Sequence, residues 1–410
     1  MTTLPTAEAA PFTGLWPGVD DILSPESLRE VAAGAVAADR DGRLATAGLD
    51  LLRANGWPGL VVPRRFGGAG EGLTRACAAQ RALATADPGL AIAVNMHLLT
   101  VSLMAHEWRR HPLLPPMLEQ IAARGLLVAS AVAEPQLGGA VARSTLRATR
   151  VADGWRLSGR KTPCSLAAHA DLAYLQLEVP GDGDSTDLVV TILPTTTPGL
   201  TVEHTWDTLG MRGSGSDTLV LADCHIPDDR VFYRAPVTDE SDPGLAVSLV
   251  WFGLITTSVY LGVAQAALAT ARELLGRLRI SHLDAVRREL PSFQQVVGRH
   301  VAALLELEAA CAGLAAAVDN GCPPHHVLPA VLGVKLHAVR VVPDAVAALV
   351  EACGGAAYAR STPLERLWRD AQAIRFHPPT PAAVRQYLGR TALGVPTGLD
   401  LDERPTGRVA

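Results

Sequence analysis

Apolar positions change their period twice along the chain. Between about Pro25 and Gly125 they recur at helical spacing, as in Leu28, Val31, Ala32 and Val36, so one face of each helix is apolar. Ser24 or Ser27 can cap the first helix, and Asp87-Pro88-Gly89 opens another that carries His97. A glycine-rich loop from Pro63 to Gly72 interrupts the pattern. From Leu126 short β-type runs take over, at residues 126–132, 144–151, 155–157, 172–178, 188–193, 200–204 and 218–225, with Asp153-Gly154 as a hairpin turn and residues 181–184 as a solvated turn. Many short strands separated by turn residues predict a β-barrel or sandwich. The helical period returns near Asp242 and predicts four helices at residues 245–279, 291–320, 326–353 and 381–393, enough for a bundle. The expectation is a mostly α protein with a central β-domain: helical domain 1–125, β-domain 126–235 and helical bundle 236–410. Residues 1–18 are expected to be ragged.

Composition narrows the partners. The chain is 48% hydrophobic and 19% charged, which excludes a disordered chain, and its net charge is −5 with no long basic run. Neither a nucleic-acid groove nor an anionic membrane surface is expected. The most apolar stretch, residues 249–275, is interrupted by Thr256, Thr257, Ser258, Gln265 and Arg272, so it reads as a core helix rather than a membrane span. Six cysteines without a CxxC pair read as free thiols, and no signal peptide is evident, so a cytoplasmic protein is expected. Only two lysines exist, Lys161 and Lys335, and both are candidates for packing or ion pairing. His106 and His111 lie five residues apart, about 140° around a helix, which does not suit a shared metal. Gly68, Gly70 and Gly72 lack the spacing of a dinucleotide loop. Ser158-Gly159-Arg160-Lys161 reads as a hairpin, not a serine nucleophile.

Motifs spread from Gly56 to Thr380 carry a resemblance. Gly56-Trp57-Pro58 leads to Phe66-Gly67-Gly68-Ala69-Gly70. Ala133-Glu134-Pro135 is followed by Gly138-Gly139, the hairpin 153–161 ends on Gly159-Arg160-Lys161, and Leu209–Ser214 precedes His225-Ile226-Pro227. Near the end stand Gly354-Gly355, Leu364-Glu365-Arg366 and Arg369-Asp370-Ala371. In this order they resemble the acyl-CoA dehydrogenase superfamily. The resemblance implies a flavin bound between β-domain and bundle and completed by a neighbouring subunit of a homo-oligomer, tetramer or dimer.

Carried over residue by residue, the resemblance places the backbone of Val132, Ala133 and Glu134 at the flavin edge and the Ser165 hydroxyl near flavin N5. It places Gln294, Gly354 and Gly355 against the adenylate half in a partner, with Arg279 preferred over Arg277 as the arginine beside them, residues 280–289 reading as an insertion. Thr380 occupies the threonine of the family's Glu-Gly-Thr. The glutamate of that motif, the usual catalytic base, is Pro378, and the second place for such a base is Phe252. A proton cannot be taken from a thioester's α-carbon without a base in reach. His377 stands just before Pro378. Together with Trp368-Arg369-Asp370-Ala371 and Arg385, it resembles the superfamily's flavin-dependent monooxygenases of the dibenzothiophene type, in which Ser165 and His97 also match polar positions. Those enzymes take reduced flavin from a separate reductase. The catalytic candidates are therefore His377, Ser165 and His97, and the cofactor is FAD, or reduced FAD or FMN supplied by a reductase. Three readings stay open: a monooxygenase or oxidase on a small metabolite or carrier-bound intermediate, an acyl-CoA or acyl-carrier thioester dehydrogenase with an unusual base and a separate electron acceptor, and a non-catalytic subunit.

Overall fold

The computed structural model describes residues 14–181, 183, 185–237 and 243–397. Much of the expected loose N-terminus, and Asp182 and Asp184 of the expected turn, lie outside them. Five helices come first: α1 Pro25–Asp41, α2 Thr46–Ala54, α3 Leu73–Ala86, α4 Pro88–Glu107 and α5 Leu114–Arg124. Ser24 caps α1 by accepting from the Ser27 amide at 3.1 Å, and Asp87 caps α4 by accepting from the Leu90 amide at 3.1 Å. Each satisfies an amide that has no partner within its helix.

Eight strands follow: β1 Val128–Ala131, β2 Thr149–Val151, β3 Gly154–Lys161, β4 Leu172–Pro180, β5 Thr186–Pro194, β6 Leu200–Glu203, β7 Thr218–Pro227 and β8 Val231–Pro236. They form two four-stranded sheets ordered β1-β4-β5-β8 and β2-β3-β7-β6. Strand β4 pairs parallel with β1 and antiparallel with β5, and eight of its nine residues are buried. The strand expected over 144–151 shortens to β2, because Ser144 and Thr145 are held by carboxylates instead of a ladder.

The last part is helical: α6 Pro243–Arg277, a hairpin of β9 Arg279–Ile280 and β10 Ala285–Val286, then α7 Pro291–Asp319, α8 Pro324–Cys353, α9 Gly355–Tyr358, α10 Pro363–Gln372 and α11 Pro381–Leu393. One feature goes beyond expectation. Residues 363–372, to which the period assigned no helix, form one with Leu364 and Leu367 inward. The segment 280–289, read as an insertion, carries most of a short hairpin. Helix α6 packs against α3 and α4 on one side and α8 on the other. At the far end of α7, Asp319 accepts from the Leu73 and Thr74 amides, both at 2.8 Å, and so ties α3 to the C-terminal helices. Among the described residues three helices, α4, α6 and α7, are long and apolar enough to cross a membrane by length and composition; 89% of the most apolar window of α6 is buried inside the fold, but only 28% of that of α7.

Candidate functional site

The turn between α10 and α11 is the chemical centre. After a short 3-10 segment, His377 adopts extended backbone, the Pro378–Pro379 peptide is cis, and Thr380 caps α11 by accepting from the Ala383 amide at 3.3 Å. Helix α6 meets the turn with two aromatic rings. The Tyr260 hydroxyl lies 2.7 Å from His377 Nε2, and the Phe252 ring stands edge-on to the imidazole at 6.1 Å between centroids. Both positions where a family base is expected, Phe252 and Pro378, therefore converge on His377, and neither carries a carboxylate. From α8, buried Lys335 Nζ donates to the carbonyls of His377 and Pro379, each at 2.8 Å. Burial pushes the Lys335 ammonium down to about 7. Burial, and then the positive charge of Lys335, pushes the half-buried imidazole of His377 down to about 3, so it is neutral at ordinary pH.

The loop after β1 faces this turn. Val132, Ala133 and Glu134 follow the strand rather than lying in it. The Ala133 carbonyl accepts from the Thr162 amide at 2.9 Å. The Glu134 carboxylate points inward, where it meets Lys161 Nζ at 2.5 Å, the Thr145 amide at 2.7 Å and the Ser144 hydroxyl at 2.5 Å. Lys161 also donates to the Gln176 carbonyl at 2.5 Å. Burial alone raises a carboxyl, but the donors on Glu134 outweigh it and hold the group below the usual carboxylate range. The side chain of Glu134 thus anchors the loop and leaves only its backbone for a ligand. Further along, Gly139 has φ of 93°, and a Cβ there would sit 2.8 Å from Thr380 Cγ2. A glycine is required for this approach, which sets the loop directly against Thr380.

Ser165 is half-buried and its hydroxyl joins a short chain, 2.8 Å to Ser216 Oγ and 2.8 Å from there to Ser214 Oγ. The loop that carries Ser214 is pinned from α10: the Met211 amide donates to Asp370 Oδ1 at 2.6 Å. Burial raises Asp370 to about 7. Arg369 grips Asp39 of α1 in a bidentate pair at 2.8 and 2.7 Å. The Arg-Asp pair of the motif is therefore a brace for the serine loop.

Two sequence assignments need correction. His97 is fully buried, with Nε2 donating to the Pro58 carbonyl at 3.0 Å and Nδ1 accepting from the Val128 amide at 3.1 Å. Both nitrogens are committed to backbone and burial lowers the ring to about 4, so His97 is a joint between α4, β1 and the Gly56-Trp57-Pro58 turn, not a catalytic group. Arg279 pairs with Asp284 across the exposed β9–β10 hairpin. The arginine that approaches Gly354 is Arg287, whose Nη1 donates to the Ala352 carbonyl at 2.8 Å and would lie 3.1 Å from a Cβ on Gly354, where φ is 67°. The hairpin returns Arg287 to that place, and contiguous motif spacing gave no sign of it. Gln294 is exposed and donates to the Arg288 carbonyl at 3.1 Å, and Gly355 opens α9 beside Gly354.

Sequence reasoning also missed Tyr260, which reads as core inside an apolar helix, and Ser216. The residues present fit a flavin ring: a half-exposed hydroxyl at Ser165, a loop with backbone groups and a glycine approach, a neutral imidazole and apolar Phe252, with no carboxylate on His377 among the described residues. Among those residues no cluster of metal-ligating side chains occurs.

The acyl-CoA dehydrogenase N-terminal, middle and C-terminal domain families match residues 27–121, 129–224 and 254–380. The chain is 30% identical over 342 residues to isobutylamine N-hydroxylase of Streptomyces viridifaciens, covering 81% of this chain and 85% of that protein. It is 33% identical over 383 residues to the amino sugar nitrososynthase RubN8 of Streptomyces rubradiris, covering 90% and 88%. The solved structure of KijD3 with FMN and dTDP-3-amino-2,3,6-trideoxy-4-keto-3-methyl-D-glucose superposes with a TM-score of 0.81 at 30% identity, covering 92% of this chain and 93% of that one.

Proposed function

The chain belongs to the acyl-CoA dehydrogenase superfamily of flavin-dependent oxidoreductases, and from that premise we propose that it is a flavin-dependent monooxygenase that oxidises the nitrogen of a small amine. The observation that carries this reading is the convergence of Phe252 and Pro378 on His377. A thioester dehydrogenase needs a carboxylate or equivalent base there; among the described residues, the imidazole at that spot is held neutral and hydrogen-bonded to Tyr260, and the Lys335 ammonium is taken up by the His377 and Pro379 carbonyls. The amine as substrate class rests on the likeness to the N-hydroxylase and the nitrososynthase.

Reduced flavin bound at this site supplies the two electrons with which O₂ is divided, one oxygen atom going to the amine and the other to water. The protein's own residues position the reactants. The 132–134 backbone and Ser165 hold the ring edge, Gly139 lets the loop close on Thr380, and Phe252 keeps the reacting space dry. His377 offers one ring nitrogen to the reacting atoms while Tyr260 holds the other. Gln294, Gly354 and Gly355, with Arg287 beside them, would serve the flavin of a neighbouring copy in a homo-oligomer, and the reduced flavin, FMN or FAD, would come from a separate reductase in the cytoplasm. The test is a coupled assay with a flavin reductase, NADH, O₂ and a panel of primary amines and amino sugars. Mass spectrometry should find hydroxylamine, oxime or nitroso products only with O₂ present. Bleaching of bound flavin by acyl-CoA thioesters without O₂ would overturn the reading in favour of a dehydrogenase.

A further inference from the structure

Tyr260 is fully buried on α6, and among the described residues its hydroxyl has one hydrogen-bond partner, His377 Nε2. A buried hydroxyl proton needs an acceptor. If Nε2 carried the imidazole proton, it would donate to the phenol oxygen and leave the phenol's own proton without one. The neutral ring can meet Tyr260 without a loss only when Nε2 is bare and the proton sits on Nδ1. We propose that Tyr260 is a positioning residue that fixes His377 as its Nδ1–H tautomer, so that His377 presents a hydrogen-bond donor, not a base, to the molecule oxidised at this site.

The surroundings agree. The groups that face the pair are Lys335 from α8, whose ammonium lies on the His377 carbonyl and opposes a second positive charge, and Asp370 from α10, which acts on Tyr260. Burial, then Asp370, raises the phenol well above its usual range, so it keeps its proton to donate. His97 shows the opposite arrangement within the same chain: its Nε2 faces a carbonyl and its Nδ1 an amide, which demands Nε2–H. The two histidines therefore carry their protons on different nitrogens, each dictated by its partner.

What meets Nδ1 rests on the oxygenase reading, but the tautomer does not, and the experiment separates them. In protein labelled with ¹⁵N-histidine, the His377 resonances are identified by their loss in His377→Asn. Wild type should show a protonated Nδ1 and a bare Nε2, and Tyr260→Phe, which keeps the ring and removes the hydroxyl, should shift the proton toward Nε2. A protonated Nε2 in wild type, or a tautomer unmoved in Tyr260→Phe, overturns the proposal whatever the protein's activity. In turnover, Tyr260→Phe should lower kcat about 2- to 10-fold, a single hydrogen bond's share, with KM unchanged. His377→Asn, whose amide nitrogen stands where Nδ1 does, should retain more activity than His377→Gln, whose amide reaches the Nε2 place. The reverse order would return His377 to a base. A correct tautomer in a protein that oxidises no amine would sink the oxygenase reading alone.

Discussion

Two hydroxyls, Ser165 and Ser216, share one proton position at 2.8 Å, so one of them can direct its own proton outward. Ser165→Ala should keep the fold and weaken flavin binding by about 0.5–1.5 kcal/mol, roughly 2- to 10-fold in a fluorescence titration of Kd. Ser216→Ala should produce a smaller loss, because it removes only the orientation. If neither changes Kd, Ser165 does not touch the flavin. His377→Ala should leave Kd intact and cut turnover by about 10²–10⁴-fold; unchanged turnover would reduce His377 to packing. These residues differ in how visible they were. Ser165 and His377 stand at fixed offsets from motifs. The scarcity of lysine also pointed to Lys161 and Lys335, though not to their partners, one a carboxylate and the other two carbonyls. Tyr260 carries no local signal, since its partner lies 117 residues away.

The loop between β1 and β2 owes its shape to one buried pair. Removing either charge leaves the other uncompensated, so Glu134→Gln or Lys161→Met should each destabilise by about 3–5 kcal/mol, measured by urea unfolding. The double variant should recover much of that loss, and additive losses would refute the pairing. The sign of the pH effect follows. The folded carboxyl sits below its ordinary 4.5, so Glu134 contributes stability that is complete above that value and is lost as pH falls through the folded pKa. Wild type should therefore lose stability below pH about 4.5, and Glu134→Gln should flatten that limb. The order of helices and strands was legible from period alone. Period did not reveal α10, whose ten residues stood out only as motif residues, nor the shortening of β2, because residues bonded to side chains look the same in sequence as residues bonded to a neighbouring strand.

On the scale of the whole molecule, α7 is the exception to good burial. Its hydropathy matches that of α6, yet most of its apolar window faces outward, with Val296, Ala302, Ala309, Ala310 and Gly313 exposed. A surface of this kind marks an interaction site. The expected occupant is a second copy of the chain. Sedimentation equilibrium should give a dimer or larger species at micromolar concentration, and Ala310→Glu should shift it toward monomer and weaken flavin binding with it. A monomeric wild type would remove the cross-subunit role of Gln294 and Gly354. This is the part least open to sequence reasoning, since period shows that a face is apolar but not what covers it.

Helix α6 touches the N-terminal helices, the C-terminal helices and His377 at once. The sequence places a domain boundary just before it, but that boundary divides the chain and not its cooperativity. Residues 1–235 expressed alone would lack the helix that covers α3 and α4, and the remainder would expose the same surface from the other side. Heating should therefore melt both helical parts in one transition, and amide hydrogens in the middle of α6 should exchange only through global unfolding, the slowest in the protein. The aromatic residues that meet His377 would then sit on the last segment to open, which keeps the reacting geometry intact through every smaller fluctuation of the fold.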